Sequence, residues 1–153
     1  MAAPGAFCWL DLAARDAGLA RRFYARAFGW RFEEQQANGG VFTRCRLGGR
    51  HGIDVGSLYQ LQRADVARGV PSHWTPYLRV ASADASARRV AELGGRVVVA
   101  PFDVQGVARI ALVEDAVGAL VGLWQAQAES PYAALNSGTV AGDERNDLPL
   151  RTL

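Results

Sequence analysis

Apolar and polar side chains alternate over residues 7–12, which puts Phe7, Trp9 and Asp11 on one face of a strand and Cys8, Leu10 and Leu12 on the other. After Asp16 the period lengthens. Leu19, Phe23 and Ala27, with Ala20, Tyr24 and Phe28 beside them, recur at helical spacing, Asp16 offers an N-cap and Gly29 a C-terminal stop. Strands are predicted over 30–34, 41–47 and 52–58, with turns at Asn38-Gly39-Gly40 and Gly48-Gly49. The same order then returns: a strand over 76–80, a helix capped by Asp84 that carries Val90 and Leu93, and a stop at Gly94-Gly95. Strands over 96–100, 108–113 and 120–125 follow, separated by a loop from Pro101 to Gly106 and a turn over 115–119.

Each half reads β-α-β-β-β, and a short pattern marks the repeat. Trp9-Leu10-Asp11-Leu12 precedes Asp16 as Tyr77-Leu78-Arg79-Val80 precedes Asp84, nearly half a chain later. Two similar modules related by a pseudo-two-fold axis are expected, and such a pair encloses a cavity. The 153 residues suit one α+β domain over 1–127, with module one at about 5–60, a linker over 60–73 and module two at about 74–127. Beyond Gln125 the periodicity stops, and 128–153 is expected as an extended tail.

Composition removes several classes of function. Every basic residue counted as Lys or Arg is Arg, so Schiff-base chemistry on a lysine is excluded. The net charge is +2, and pairs such as Arg21-Arg22 and Arg88-Arg89 fall on helices among acids and alanines, which argues against a nucleic-acid surface. No apolar run approaches a membrane span and no signal-like start is present, so a cytoplasmic location without membrane association is expected. Cys8 and Cys45 lie in strand-like stretches and provide neither a disulfide framework nor a zinc set.

Several motifs in order carry a family resemblance over residues 7–125. Phe23-Tyr24 followed by Phe28-Gly29-Trp30, then Glu92-Leu93-Gly94-Gly95, the stretch from Arg109 to Val113, and Asp115 with Gly118-Ala119 resemble those of the vicinal oxygen chelate superfamily. That group includes glyoxalase I, extradiol dioxygenases and bleomycin resistance proteins. The resemblance implies a curved mixed sheet of two tandem βαβββ modules around a cavity, and commonly a homodimer. Ala116 stands where the family carries a proline. Metal-binding members hold a divalent cation with His, Gln or Glu, and those positions fall here on Trp9, Tyr77, Gly122 and the neighbourhood of Ile53 or Asp54. Tryptophan and glycine cannot ligate a metal, so no metal or other cofactor is expected. The donors for a relocated site would be His51, His73, Asp11, Asp54, Tyr59 and Tyr77, and a regular strand separates His51 from Asp54.

Without a metal, the cavity would carry Trp9 and Tyr77 as symmetry mates, with Asp11 matched to Arg79 as an acid and a base, free to form an ion pair. Trp74, Tyr59, Arg109 and Trp124 are further candidates for contact with a ligand. The leading expectation is a metal-free protein that binds an aromatic or polycyclic metabolite. One alternative is a metal-independent isomerase, cyclase or lyase that uses Asp11, Tyr77, Arg79 and His51 for acid-base work. A second is a divalent-metal lyase or dioxygenase of the ordinary family type.

Overall fold

The computed structural model describes residues 4–37, 40–48 and 52–128. His51, the turn at Asn38-Gly39, Gly49 and the tail beyond residue 128 lie outside the described residues. Module one comprises β1 (Phe7–Ala14), α1 (Ala17–Phe28), β2 (Arg31–Ala37), β3 (Gly40–Leu47) and β4 (Ile53–Gln60). A short helix, α2 (Arg63–Ala67), occupies the stretch expected as a plain linker. Module two comprises β5 (His73–Arg79), α3 (Ala83–Glu92), β6 (Arg96–Val104), β7 (Ala108–Glu114) and β8 (Leu120–Ala126).

All eight strands join one curled sheet in the order β2-β3-β4-β1-β5-β8-β7-β6, which reads the same from either end when the modules are exchanged. β1 pairs in parallel with β4, and β5 with β8, while β1 and β5 run antiparallel and join the modules within one chain. The helices lie on the outer face. Leu12, Cys45 and Leu58 pack under α1 with Tyr24, Trp30 and Trp74, and Ala111, Val113 and Leu123 pack against Ala87 and Val90 of α3. No helix among the described residues is long and apolar enough to cross a membrane.

Four local readings change. The alternation of β1 breaks at a bulge between Phe7 and Trp9: Phe7 pairs with Leu78 and Trp9 with Tyr77, so Phe7 moves to the outer face and Cys8 joins the inner one. Asp16 caps α1, accepting from Leu19 N at 2.7 Å, but the packed face of that helix is Ala17, Ala20 and Tyr24, and Leu19, Phe23 and Phe28 are exposed. Ser82, not Asp84, caps α3, since its hydroxyl accepts from Ala85 N at 3.2 Å. Pro101 lies inside β6 rather than in a loop, because β6 is an edge strand where a missing N–H leaves no ladder bond unmade.

Candidate ligand-binding site

The inner face of the sheet bounds a cavity of about 420 Å³. Its surface is largely apolar: Trp9 from β1, Phe42 from β3, Tyr77 from β5 and Trp124 from β8 meet Val107, Ile110 and Leu112 from module two. The rings form a connected group. Trp9 and Trp124 lie 5.4 Å apart between centroids at 30°, and Tyr77 meets Trp124 edge-on at 5.9 Å and 86°. Register explains the meeting, because Trp9 is opposite Tyr77 across β1 and β5, and Tyr77 is level with Gly122 on β8.

Gly122 is required by this arrangement. A Cβ there would stand 2.2 Å from the Tyr77 ring, so any side chain would displace the phenol. The position that the family gives to a late carboxylate ligand is thus filled by an aromatic ring from the neighbouring strand. Asp54 is engaged as well, bridging to Arg46 at 2.9 Å and Arg44 at 3.3 Å. Among the described residues, no three His, Cys, Asp or Glu side chains group to hold a metal. Two non-ligating residues, a phenol beside an acid, and an acid bound to two arginines do not fit a divalent cation at the family position.

Two carboxyl groups line the cavity, Asp103, which is exposed and paired with Arg109, and Asp11, which is buried. Asp11 belongs to β1 opposite Ser57 of β4. The Trp9 indole Nε1 donates to Ser57 Oγ at 2.8 Å and to Asp11 Oδ1 at 3.0 Å, and the Ser57 hydroxyl donates to the same Oδ1. The Tyr77 hydroxyl is near enough to Asp11 for each to shift the other's titration. Burial pushes the Asp11 carboxyl above its ordinary value, and the polar groups of Ser57, Tyr77 and Trp9 pull it back. The same burial, with the Asp11 charge alongside, raises Tyr77 well above a normal phenol and Tyr59 to about 12. Both phenols therefore stay protonated at neutral pH, with an O–H each to offer.

The structure brings together Trp9, Asp11, Tyr59, Tyr77 and Trp124 in the cavity lining, to which Arg79, Trp74 and Arg109 do not belong, and His51 lies outside the described residues. Asp11 and Arg79 form no ion pair, because Asp11 is opposite Thr75 and its carboxyl is taken by Trp9 and Ser57. Trp74 packs on the outer face, where its Nε1 donates to Tyr24 Oη at 3.1 Å. Arg109 also points away from the cavity and binds Asp84 at 2.7 Å and Asp103 at 3.0 Å. Ser57 escaped the sequence reading although it sits at the centre of the polar group. A lone hydroxyl in a buried strand was its only signal.

No protein-family profile matches the chain. Over 139 residues, 89% of its length, the chain is 30% identical to the protein of Mycobacterium tuberculosis named as a glyoxylase, CFP32. Over 131 residues, 80% of its length, it is 34% identical to the anthracycline biosynthesis protein DnrV of Streptomyces peucetius. The chain spans about half the length of these curated relatives, 52% and 48%. Among solved structures, a methylmalonyl-CoA epimerase in complex with methylmalonyl-CoA and NH4+ superposes with a TM-score of 0.58 at 20% identity, covering 84% of this chain and 100% of that one. The methylmalonyl-CoA epimerase of Mycobacterium tuberculosis gives 0.54 at 21% identity, with 80% and 88% covered. These structures share the fold. With the doubled βαβββ sheet and the two relatives, they identify the chain as a member of the vicinal oxygen chelate superfamily.

Proposed function

We propose that the chain binds an aromatic or polycyclic small molecule, without a metal, in the cavity between its modules. The observation that carries this reading is a cavity of about 420 Å³ that is lined mainly by apolar and aromatic side chains and holds a buried polar cluster at Asp11. Trp9, Tyr77 and Trp124 offer ring faces and edges to a planar ligand, and Asp11 with Ser57 and Tyr59 offers hydrogen bonds to its polar substituent. The relative DnrV is named for anthracycline biosynthesis, and a polycyclic ligand suits this lining. Titration with planar polycyclic compounds, read by tryptophan emission, should give saturable quenching in wild type and none in Leu112→Trp, which fills the cavity. An unquenched wild type across such a set would refute the reading.

A second reading, an acid-base enzyme that needs no metal, is favoured by the Asp11 environment. A buried carboxyl with a raised pKa and fixed donors can take a proton from a carbon next to a carbonyl and return it, while the Tyr77 or Tyr59 hydroxyl supports the developing oxyanion. Any turnover found should fall roughly a hundredfold or more in Asp11→Asn. Undiminished turnover in that variant would remove Asp11 from the chemistry.

The reading also includes a homodimer. Phe7, Leu10 and Ile53 expose apolar surface, with Phe7 71% accessible. A monomeric mass in solution would contradict this part alone.

A further inference from the structure

We propose that the cavity selects planar ligands that present a hydrogen-bond donor, an O–H or N–H group, to Oδ2 of Asp11, an inference that rests on the binding reading given above. Two protein donors converge on the other oxygen of that carboxyl, the Trp9 indole Nε1 at 3.0 Å and the Ser57 hydroxyl. The same indole N–H also reaches Ser57 Oγ at 2.8 Å, which fills an acceptor site of the hydroxyl and leaves its proton for Asp11. Oδ1 is thereby fixed as the oxygen that serves the protein.

Oδ2 is left to the cavity. Asp11 belongs to the lining and keeps accessible surface there, and no described residue makes a hydrogen bond to Oδ2. An ionised carboxylate accepts at about four sites and donates at none. Even with the neighbouring Tyr77 hydroxyl turned toward it, Oδ2 retains a site for one donor more. No Lys, Arg or His side chain belongs to the described lining, so no cationic donor of the cavity wall competes for it.

A ligand that meets Oδ2 with apolar surface strips water from a charged oxygen and returns nothing, and a carbonyl or ether there sets lone pair against lone pair. A ligand O–H or N–H replaces the lost water with a charge-assisted bond. The ligand class that fits is a planar aromatic body against Trp9, Tyr77 and Trp124, with a hydroxyl or amino substituent at the edge toward Asp11. The two fixed donors also set what Asp11→Asn does. They hold the amide oxygen where Oδ1 stands and turn the amide NH2 into the cavity, so that variant favours an acceptor on the ligand.

2-(1-Hydroxyethyl)anthraquinone and 2-acetylanthraquinone share one carbon skeleton and differ as donor and acceptor at the substituent. Tryptophan quenching in mildly alkaline buffer, which favours the ionised carboxyl, should show wild type binding the alcohol tighter by on the order of tenfold or more. Asp11→Asn should bind the ketone at least as tightly as the alcohol. Equal affinities in wild type, or a preference for the ketone, would overturn the donor requirement and leave the cavity reading intact. Binding of neither probe would overturn both. An undiminished alcohol preference in folded Asp11→Asn would also overturn the role of Oδ2, and if that variant does not fold, the wild-type ratio decides alone.

Discussion

Asp11 is the buried carboxyl of the cavity lining. Its carboxyl occupies an apolar cavity, and burial shifts its titration upward from 3.8 despite the donors around it. The sign of the consequence follows from linkage. With a raised folded-state pKa, the folded protein holds the Asp11 proton more tightly than the unfolded chain, so this group favours folding at low pH and opposes it once ionised. The neutral substitution Asp11→Asn should therefore raise the melting temperature relative to wild type at neutral pH. That gain should shrink as pH falls through the raised pKa of Asp11 and vanish below the ordinary carboxylate range. A gain independent of pH would show that Asp11 is not titrating in this environment. Trp9 and Tyr77 were legible as cavity residues from the repeat alone, because counting back from Asp16 and Asp84 lands on them. The hydrogen bonds that join Trp9 to Asp11 and Ser57 were not, since they depend on Ser57 of β4, brought beside β1 by a pairing distant in sequence.

Among the elements, β5 and β8 show how one replacement requires another. The Tyr77 ring occupies the space above Gly122, and Gly122 leaves that space empty of side chain. Gly122→Ala should lower stability by about 1–3 kcal/mol by crowding the ring, and Tyr77→Phe should not relieve it, because the ring carbons rather than the hydroxyl make the contact. Tyr77→Val, which removes the ring, should make Gly122→Ala far less harmful; equal penalties in both backgrounds, measured by chemical denaturation, would contradict the contact. Capping offers a second test at this scale. Ser82→Ala should cost about 1 kcal/mol through the lost bond to Ala85 N. Ser82 and Asp84 are both good capping residue types, and sequence could not choose between them. The Arg109 side chain decides the matter by drawing Asp84 aside. The β1 bulge was hidden for a related reason: Cys8 and Trp9 are both apolar, so the pattern does not register one inserted residue.

For the molecule as a whole, the doubled topology was readable because each module repeats capping, helix and glycine signals in the same order. The pairing of β1 with β5 within one chain was not, because the sequence pattern suits the same pairing within a chain or between two. The position of α2 between the modules escaped for want of a side-chain cap at Gln62. On the proposed reading, Trp9, Tyr77 and Gly122 stand in place of the family's metal ligands and line an aromatic cavity. Excess chelator should accordingly leave ligand affinity and melting temperature unchanged, and a loss of either that added divalent metal restores would contradict this.

The four tryptophans divide evenly between the two faces of the sheet, Trp9 and Trp124 in the cavity and Trp30 and Trp74 under α1. Their indole N–H resonances therefore report occupancy by position in a single 1H-15N titration with a planar polycyclic ligand in the presence of chelator. The prediction is saturable shifts at Trp9 and Trp124 with Trp30 and Trp74 unmoved; no shift at the cavity pair, or shifts confined to the outer pair, would contradict a ligand site between the modules.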